Sequence, residues 1–340
     1  MRRRKVVFCG ILVLLVLVLG EVAARLVLGR VMKAEFWHPD TVLFHFYPEM
    51  RKPMTISIRR ADDFYDVLLI GGSVLHASWG NVATILQQDL PAAVGRKVRI
   101  HNVAWPAHMS WDSRFKYRLL EDQEFDLVVT YDGINDLRAN HCSESEFRLD
   151  YSHMMWYQQL GRIESHRELK LVALPYTLSF AGLFITTRFG WTHYYSAQST
   201  GGPEAPSCGE RSGQAVRHNL TEILDLAARK HETVALCTFA YYVAPGYSLE
   251  KFNSKELDYG LHRSAAELWG SPEEVTRGLD AHNTVIHDLA RGQSNVFLVD
   301  QNQRIPKNGA HFDDVCHLTA LGSKAFVTNL LDALRAHQGQ

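Results

Sequence analysis

The stretch from Tyr65 to Ser73 reads YDVLLIGGS. Its apolar residues follow one another without alternating with polar ones, which is typical of a strand that is buried on both faces of a parallel sheet. Gly71 and Gly72 then predict a tight turn, and the chain presents a hydroxyl directly after it. Because open α/β sheets bind their ligands beyond the carboxyl ends of the strands, Ser73 is a candidate functional residue.

Further short apolar runs predict four more strands, at residues 97–104, 125–133, 232–240 and 295–300, after the first strand at 65–72. Segments with apolar residues at helical spacing separate most of these runs. Alternating strands and helices favour a parallel sheet that is covered by helices. The sequence therefore predicts an α/β fold, with a five-stranded parallel sheet in a single doubly wound domain.

The sequence predicts that the chain is divided into four segments. Residues 1–5 form a cytoplasmic basic stretch, residues 6–28 a transmembrane anchor or signal, and residues 29–62 a linker that leads to the first strand. Residues 63–337 then form the α/β domain. The connection between the third and fourth strands is too long for a plain loop, so residues 138–212 are predicted to be an insertion in this domain.

The N-terminus opens with MRRRK, and residues 6–20 carry no charge. A basic start before an apolar run indicates either a membrane anchor or a cleaved secretory signal. Residues 26–28 can extend the run to about one membrane thickness, which favours an uncleaved anchor. The positive-inside rule then places the N-terminus in the cytoplasm and the remaining chain on the extracytoplasmic, periplasmic side. Cleavage after Ala24, with secretion, is the alternative because Val22 and Ala24 are small enough for a signal-peptidase site.

Composition narrows the class of protein. The 340 residues are 46% hydrophobic and 21% charged, with a net charge of -1. A globular protein with a sizeable core is expected, and a general nucleic-acid binder is not, because binding phosphates requires a basic surface.

The histidines and cysteines form no recognisable metal motif, so neither a metal nor a cofactor is expected. Cys142 and Cys208 lie in loop-like sequence and either form a disulfide in an oxidising compartment or remain thiols.

The predicted strand ends carry the groups needed for nucleophilic catalysis. A serine hydroxyl needs a base, which a histidine can supply, and the histidine needs a carboxylate on its other nitrogen. Asp314 and His317 follow the last strand and supply both groups. The backbone N–H groups of Ser73 and Ala104, with the Asn135 side chain, are candidate donors to a developing oxyanion.

These motifs, in this order, resemble those of the SGNH hydrolases, also called the GDSL-type esterase/lipase family. The GDS block of the family corresponds to residues 71–73, with glycine where aspartate is usual. The second block has Ala104 in the glycine position, the GxND block is intact at 133–136, and the DxxH block is 314–317. The resemblance implies a flavodoxin-like three-layer α/β/α fold and Ser–His–Asp ester chemistry.

By this resemblance Ser73 is the nucleophile, His317 the base and Asp314 the partner of the base, while Ser73, Ala104 and Asn135 form the oxyanion hole. The predicted function is that of a membrane-anchored serine esterase, which hydrolyses an acyl or acetyl ester on a small molecule, lipid or glycan. Two alternatives stay open. One is an O-acyltransferase that acts on a surface glycan, and the other is a non-catalytic glycan-binding or assembly component that retains the fold.

The Asp-x-x-His spacing occurs twice in the chain, at Asp314 and His317 and again at Asp150 and His153. A motif this short arises easily by chance. Only the first pair follows the last predicted strand, whereas the second pair lies in the predicted insertion. Placement therefore favours Asp314 and His317 as the functional pair.

Overall fold

The computed structural model describes residues 2–60, 63–166, 172–191 and 208–339, with the backbone alone at 2–3 and 208–210. The strands are β1 (Phe64–Gly71), β2 (Lys97–Asn102), β3 (Leu127–Tyr131), β4 (Thr233–Cys237) and β5 (Val296–Val299). The helices are α1 (Arg2–Met32), α2 (Leu43–Phe46), α3 (Arg51–Thr55), α4 (Val82–Val94), α5 (Ser110–Leu119), α6 (Ile134–Asn140), α7 (Met155–Ser165), α8 (Leu174–Arg188), α9 (Cys208–Arg229), α10 (Leu249–Asn253), α11 (Pro272–Leu289), α12 (Gln301–Arg304) and α13 (Ala320–Gln338). Single turns of 3₁₀ helix cover Pro39–Val42, Pro48–Met50, Ser73–Leu75 and Ala266–Leu268.

The strands form one five-stranded sheet in the order β2-β1-β3-β4-β5, and all neighbouring strands are parallel. This is the strand order of flavodoxin-like sheets. The predicted α/β fold with a five-stranded parallel sheet is thus confirmed. The third strand is shorter than the predicted 125–133 at both ends, since it spans Leu127–Tyr131, and Gly133 is already the N-cap of α6.

Helices cover both sides of the sheet. The α4 and α13 helices pack against each other, with α4 on β2 and α13 on β5. The α5, α9 and α11 helices pack together as a second group, with α5 on β1 and α9 on β4. Because helices cover both faces, β1 is buried from Tyr65 onward and β3 along its whole length, which explains their unbroken apolar sequences.

The chain changes its direction of winding between β1 and β3. From β1 it passes outward to β2, and it then returns to place β3 on the other side of β1. Parallel α/β sheets bind their ligands at such a switch point, beyond the carboxyl ends of the strands. Ser73 follows β1 and Asn135 follows β3, so the topology brings both residues to this place.

The chain forms two compact units. One comprises residues 1–51 and 152–195, and the other comprises residues 52–151 and 196–340. The sheet and the helices that cover it belong to the second unit. The predicted insertion at 138–212 therefore contributes part of its length to a unit that it shares with the N-terminal residues, a pairing that the sequence does not predict.

The α1 helix occupies the segment for which the sequence predicts an anchor or signal. From Arg4 to Met32 it is long and apolar enough to cross a membrane, with a mean hydropathy of 2.9 in its most apolar window. Its large apolar side chains are exposed from Val6 to Leu19. These features fit an anchor and a signal sequence alike, so both predictions for this segment stay open.

Replacing Gly71 with alanine is expected to destabilise the sheet unit by about 3 kcal/mol. Gly71 has a φ of +152°, and a Cβ here would overlap the carbonyl oxygen of Tyr131 on β3. Gly95→Ala is the matched control, because Gly95 also has a positive φ but no atom within 4 Å of an added Cβ; it should cost about 1 kcal/mol. Thermal unfolding of the purified proteins measures both. Equal unfolding temperatures for the two variants would contradict this account of Gly71.

Candidate active site

Ser73 lies where β1 ends. Gly72 is extended, with φ -91° and ψ -156°, and Ser73 begins the 3₁₀ turn Ser73–Leu75. The first N–H groups of a helical turn have no acceptor within that turn, so the backbone N–H of Ser73 is available to a ligand. The side chain itself is half-buried. The turn thus presents both a hydroxyl and an N–H donor at the end of an inner strand.

The loop between α12 and α13 carries Asp314 and His317. Its ends are held together by the N–H of Asp313, which donates to the His317 carbonyl at 2.8 Å, and by a bridge between Phe312 and Leu318. Both side chains are buried, with Asp314 0% and His317 2% exposed. This narrow loop fixes the Asp-x-x-His pair as one rigid turn directly before α13.

The structure brings Ser73, His317 and Asp314 into one hydrogen-bonded chain. Ser73 Oγ lies 2.8 Å from His317 Nε2, and His317 Nδ1 lies 2.8 Å from Asp314 Oδ2 and 2.9 Å from Asp314 Oδ1. An imidazole held in this way by a carboxylate on Nδ1 presents Nε2 as an acceptor for the serine proton. The arrangement is therefore able to activate the hydroxyl of Ser73 as a nucleophile.

Asp314 is held as a carboxylate. Burial by itself raises its pKa, but the hydrogen bond and charge interaction with His317 and two backbone N–H donors outweigh burial, and the pKa lies below its ordinary value. Those N–H groups belong to Cys316 and His317, at 3.0 and 2.9 Å from Oδ1, and Ser264 N–H donates to Oδ2 at 3.0 Å. A fixed anion beside His317 stabilises the imidazolium that forms when serine gives up its proton.

Trp79 covers the imidazole of His317. The two rings stack with their centroids 4.3 Å apart and an interplanar angle of 25°. The guanidinium of Arg263 lies over the Trp79 ring, 5.4 Å from its centroid. The stack restricts rotation of the imidazole and thereby supports its alignment with Ser73. The sequence does not predict this contact, because a tryptophan in a loop carries no spacing signal.

Asn135 lies beside the turn that carries Ser73. Its Nδ2 donates to the His108 carbonyl at 3.0 Å, and its Oδ1 accepts from Trp269 Nε1 at 3.1 Å. These two bonds fix the orientation of the amide and leave the second hydrogen on Nδ2 as a donor. Trp269 is a positioning residue that the sequence analysis misses, because it lies 134 residues from Asn135.

Ala104, the remaining predicted oxyanion donor, lies beside the end of β1. The N–H of Val103 donates to the Leu69 carbonyl at 3.0 Å and that of Trp105 to the Gly71 carbonyl at 3.1 Å. The N–H of Ala104 points elsewhere and donates to Asn102 Oδ1 at 3.0 Å. Ala104 is not one of the residues with positive φ, so an alanine fits this backbone without strain.

Gly72 leaves room for the Asn135 side chain beside the turn that carries Ser73. A Cβ at this position would lie 3.2 Å from Asn135 Nδ2 and 3.3 Å from the His108 carbonyl oxygen. Both distances are tighter than ordinary van der Waals contact. The glycine therefore allows the Asn135–His108 hydrogen bond to lie directly against the Ser73 turn.

A cavity of about 10 Å³ adjoins Ser73, which is room for about one water molecule. Its lining includes Gly72, His108, Asp132, Asn135 and Phe239. Asp132 Oδ1 accepts from Ser113 Oγ at 2.9 Å, while Oδ2 is buried and has no partner among the described residues. Burial, and then the negative charge of Asp136, raises the pKa of Asp132 to about 8. The raised pKa favours the neutral acid form of Asp132 at neutral pH.

The stability of the Asp132→Asn variant, relative to that of the wild type, is expected to increase as the pH rises. The folded pKa of about 8 lies above the ordinary value. Between about pH 4 and pH 8 the folded state therefore keeps a proton that the unfolded state has already released. Stability of the wild type therefore falls through this window, by up to about 1.4 kcal/mol per pH unit from this group. Asparagine does not ionise. Unfolding temperatures at pH 5 and pH 8 measure the effect, and a wild-type-to-variant difference that does not change with pH would refute it.

Other candidate groups near the site have structural explanations. Cys316 is buried, and burial raises the pKa of its thiol well above the ordinary value, so it is not a reactive nucleophile. The ligand atoms of Asp314, Cys316 and His317 lie within 4.8 Å of one another, but both imidazole nitrogens already contact Ser73 and Asp314. These residues are therefore better explained as a hydrogen-bonded chain than as a metal site.

Cys142 and the second Asp-x-x-His motif take no part in the hydrogen-bonded chain of Ser73, His317 and Asp314. Cys142 is a buried free thiol, and the side chain of Cys208 lies outside the described residues. Asp150 is exposed, and His153 belongs to the other compact unit. Ser73 pairs with His317 and not with the second motif.

Comparison with known proteins gives matches in structure alone. No family model and no curated protein sequence matches the chain. A GDSL-like lipase from Bacteroides thetaiotaomicron is 12% identical, with a TM-score of 0.43 over 86% of this chain and 97% of that one. The acetylxylan esterase Axe2 from Geobacillus stearothermophilus is 15% identical, with a TM-score of 0.41 over 79% and 94%. The acetyl xylan esterase AlAXEase is 15% identical, with a TM-score of 0.41 over 79% and 99%. The chain is similar to these proteins in fold.

Proposed function

We propose that this protein is a serine hydrolase of the SGNH type and that it cleaves a carboxylic ester through Ser73. One observation carries the proposal: Ser73 Oγ, the His317 imidazole and the Asp314 carboxylate form a continuous chain, with 2.8 Å at each of its two closest contacts. The chain lies at the switch point of the sheet, where parallel α/β sheets bind their ligands. Geometry of this kind identifies a nucleophile, its base and the group that orients the base.

The acylation step uses each member of the chain. Ser73 Oγ attacks the ester carbonyl carbon while His317 Nε2 takes the hydroxyl proton, and Asp314 stabilises the resulting imidazolium. The tetrahedral intermediate then loses the alcohol, which leaves with the proton from Nε2. An acyl group remains on Ser73 Oγ. Water attacks this acyl-enzyme, Nε2 takes a proton from the water, and release of the carboxylic acid returns the proton to Ser73.

The oxyanion is held by donors next to Ser73. The backbone N–H of Ser73 and the second hydrogen on Asn135 Nδ2 serve without any rearrangement. Ala104 N–H donates to Asn102 Oδ1, so it joins them only if the oxyanion replaces the Asn102 acceptor. Preorganised donors of this kind stabilise charge that appears only in the transition state.

Asn135→Ala is expected to lower kcat by about 10²- to 10³-fold, because it removes the donor that the Trp269 and His108 bonds hold in place. Trp269→Phe is the matched control. It removes the N–H that binds Asn135 Oδ1 but leaves Asn135 itself, and it should cost less than about tenfold. Steady-state kinetics with a chromogenic ester distinguish the variants. A kcat for Asn135→Ala within about threefold of the wild-type value would rule out this role.

We further propose that α1 anchors the protein in a membrane, with its N-terminus in the cytoplasm and residues 63–337, with their insertion at 138–212, as an extracytoplasmic, periplasmic catalytic domain. The basic residues at the start of α1 and the exposed apolar surface of the helix support this orientation. Secretion after cleavage near Ala24 is the alternative. The mass of the mature protein isolated from membranes and from the soluble extracytoplasmic fraction decides between the two, because an uncleaved anchor retains residues 1–24.

Ester turnover tests the proposed chemistry. The purified full chain is assayed in detergent against p-nitrophenyl acetate, butyrate and octanoate and against an acetylated xylo-oligosaccharide. We expect Ser73-dependent hydrolysis of at least one of these esters. Addition of an unacetylated oligosaccharide tests the acyltransferase alternative, since transfer produces an acetylated acceptor in competition with hydrolysis. Absence of any Ser73-dependent turnover or transfer by folded protein would favour the non-catalytic alternative.

A further inference from the structure

The outward face of α8 is apolar. Leu178, Phe184 and Ile185 are exposed along the helix, and Phe189 and Trp191 follow at its end, with Phe184 71% and Trp191 73% exposed. Positions 178, 181, 184 and 185 recur at the spacing of one helical face. A helix on the surface of a water-soluble protein has the opposite pattern, with its polar face turned outward. A cluster of large exposed apolar side chains marks a surface that contacts another apolar phase.

The three threonine hydroxyls of α8 donate to carbonyl groups of the same helix. Thr177 Oγ1 donates to the Ala173 carbonyl, and Thr186 and Thr187 both donate to the Leu183 carbonyl, at 2.8 to 3.2 Å. From Leu174 to Trp191 the sequence contains no acidic residue and a single basic one, Arg188, in the last turn. Internal satisfaction of hydroxyl groups is what an apolar environment requires.

The N-terminus of α8 is attached to α1. The carboxylate of Glu21 accepts from the N–H of Ala173 and from the N–H of Leu174, at 2.9 to 3.0 Å, and Arg25 pairs with the same carboxylate at 2.7 Å. The Leu174 side chain also lies against Gly20. Glu21, a charged residue within an apolar helix, is thus explained as the cap of α8.

The attachment to Glu21 determines the depth in the membrane at which α8 begins. Residues 6–20 of α1 carry no charge and span about 22 Å as a helix, so Glu21 and Arg25 lie near the end of the apolar segment. A helix that begins at this level and turns an apolar face outward has the lipid of the same membrane as its neighbour. Aromatic side chains and a basic residue at its end suit the membrane–water interface.

We propose that α8 is an interfacial membrane helix that lies in the bilayer surface next to α1, with Leu178, Phe184 and Ile185 among the lipid chains. Helices at the interface bury their apolar side chains about 5–10 Å into the boundary between headgroups and acyl chains. The proposal depends on α1 as a membrane anchor, and it is independent of the ester chemistry at Ser73.

Photocrosslinking tests the proposal on the full chain in nanodiscs of phosphatidylethanolamine and phosphatidylglycerol. A benzophenone amino acid is placed at position 184, at position 12 in α1 as the positive control, or at position 261, an exposed leucine of the sheet unit, as the negative control. We expect lipid adducts by mass spectrometry at 184 and 12 and none at 261.

Each other outcome overturns the proposal for a different reason. Adducts at 12 but not at 184 would show that α8 does not contact lipid. Crosslinks from 184 to a second copy of the chain, without lipid adducts, would identify the face as a self-association surface. Absence of adducts at 12 would remove the anchor on which the proposal depends.

Discussion

Ser73→Ala is expected to lower kcat for ester hydrolysis by at least about 10⁴-fold. Alanine removes the oxygen that attacks the substrate, so no acyl-enzyme can form and only weak residual catalysis by the oxyanion donors remains. Ser73 is half-buried and its hydroxyl contacts His317, so its removal should leave the fold intact. Steady-state kinetics, with an unfolding temperature near that of the wild type, measure the change.

Ser78→Ala is the matched control for this prediction. Ser78 is exposed, lies in the same loop and also contacts a histidine, with its Oγ 2.7 Å from His76 Nδ1. Its removal should change kcat by less than about twofold, because it takes no part in the Ser73–His317–Asp314 chain. Equal losses in the two variants, or full activity in Ser73→Ala, would exclude Ser73 as the nucleophile.

Asp314→Asn is expected to lower kcat by about 10³- to 10⁴-fold. An amide in place of the carboxylate can donate to His317 Nδ1, and the imidazole proton then lies on Nε2. A protonated Nε2 cannot accept the serine proton. The variant also loses the anion that stabilises the imidazolium. Because the side chain is nearly isosteric, the loss should appear in kcat and leave KM close to its wild-type value.

The second Asp-x-x-His motif provides the control for Asp314→Asn. Asp150 has the same spacing to a histidine but lies on an exposed turn, so Asp150→Asn should retain activity within about twofold. If both substitutions have the same effect on kcat, the placement of Asp314 beside His317 does not determine activity.

Much of this fold is readable from the sequence, because buried parallel strands leave long apolar runs. The strand predicted at 65–72 is Phe64–Gly71 in the structure, and the strand predicted at 295–300 is Val296–Val299. The pairing of residues 152–195 with the N-terminal residues is not readable, since it depends on contacts such as Glu21 with Ala173, 152 positions apart.

The candidate site divides in the same way. Ser73, Asp314 and His317 can be chosen from the sequence because strand ends of a parallel sheet converge at one edge. The surroundings cannot be chosen so, because the stacking of Trp79 on His317 and the bond from Trp269 to Asn135 leave no pattern in the chain. Ala104 shows the limit most clearly. Its position fits an oxyanion donor, yet its N–H donates to Asn102.

Reaction with a fluorophosphonate tests the central proposal most directly, because such a probe phosphonylates a serine that a histidine activates, whatever the natural substrate is. Intact-mass spectrometry of the folded full chain should show one adduct, which peptide mapping assigns to Ser73, and Ser73→Ala should acquire none. Asp314→Asn should react more slowly than the wild type. Folded wild-type protein without an adduct, or equal labelling of the wild type and Ser73→Ala, would contradict the assignment of Ser73 as an activated nucleophile.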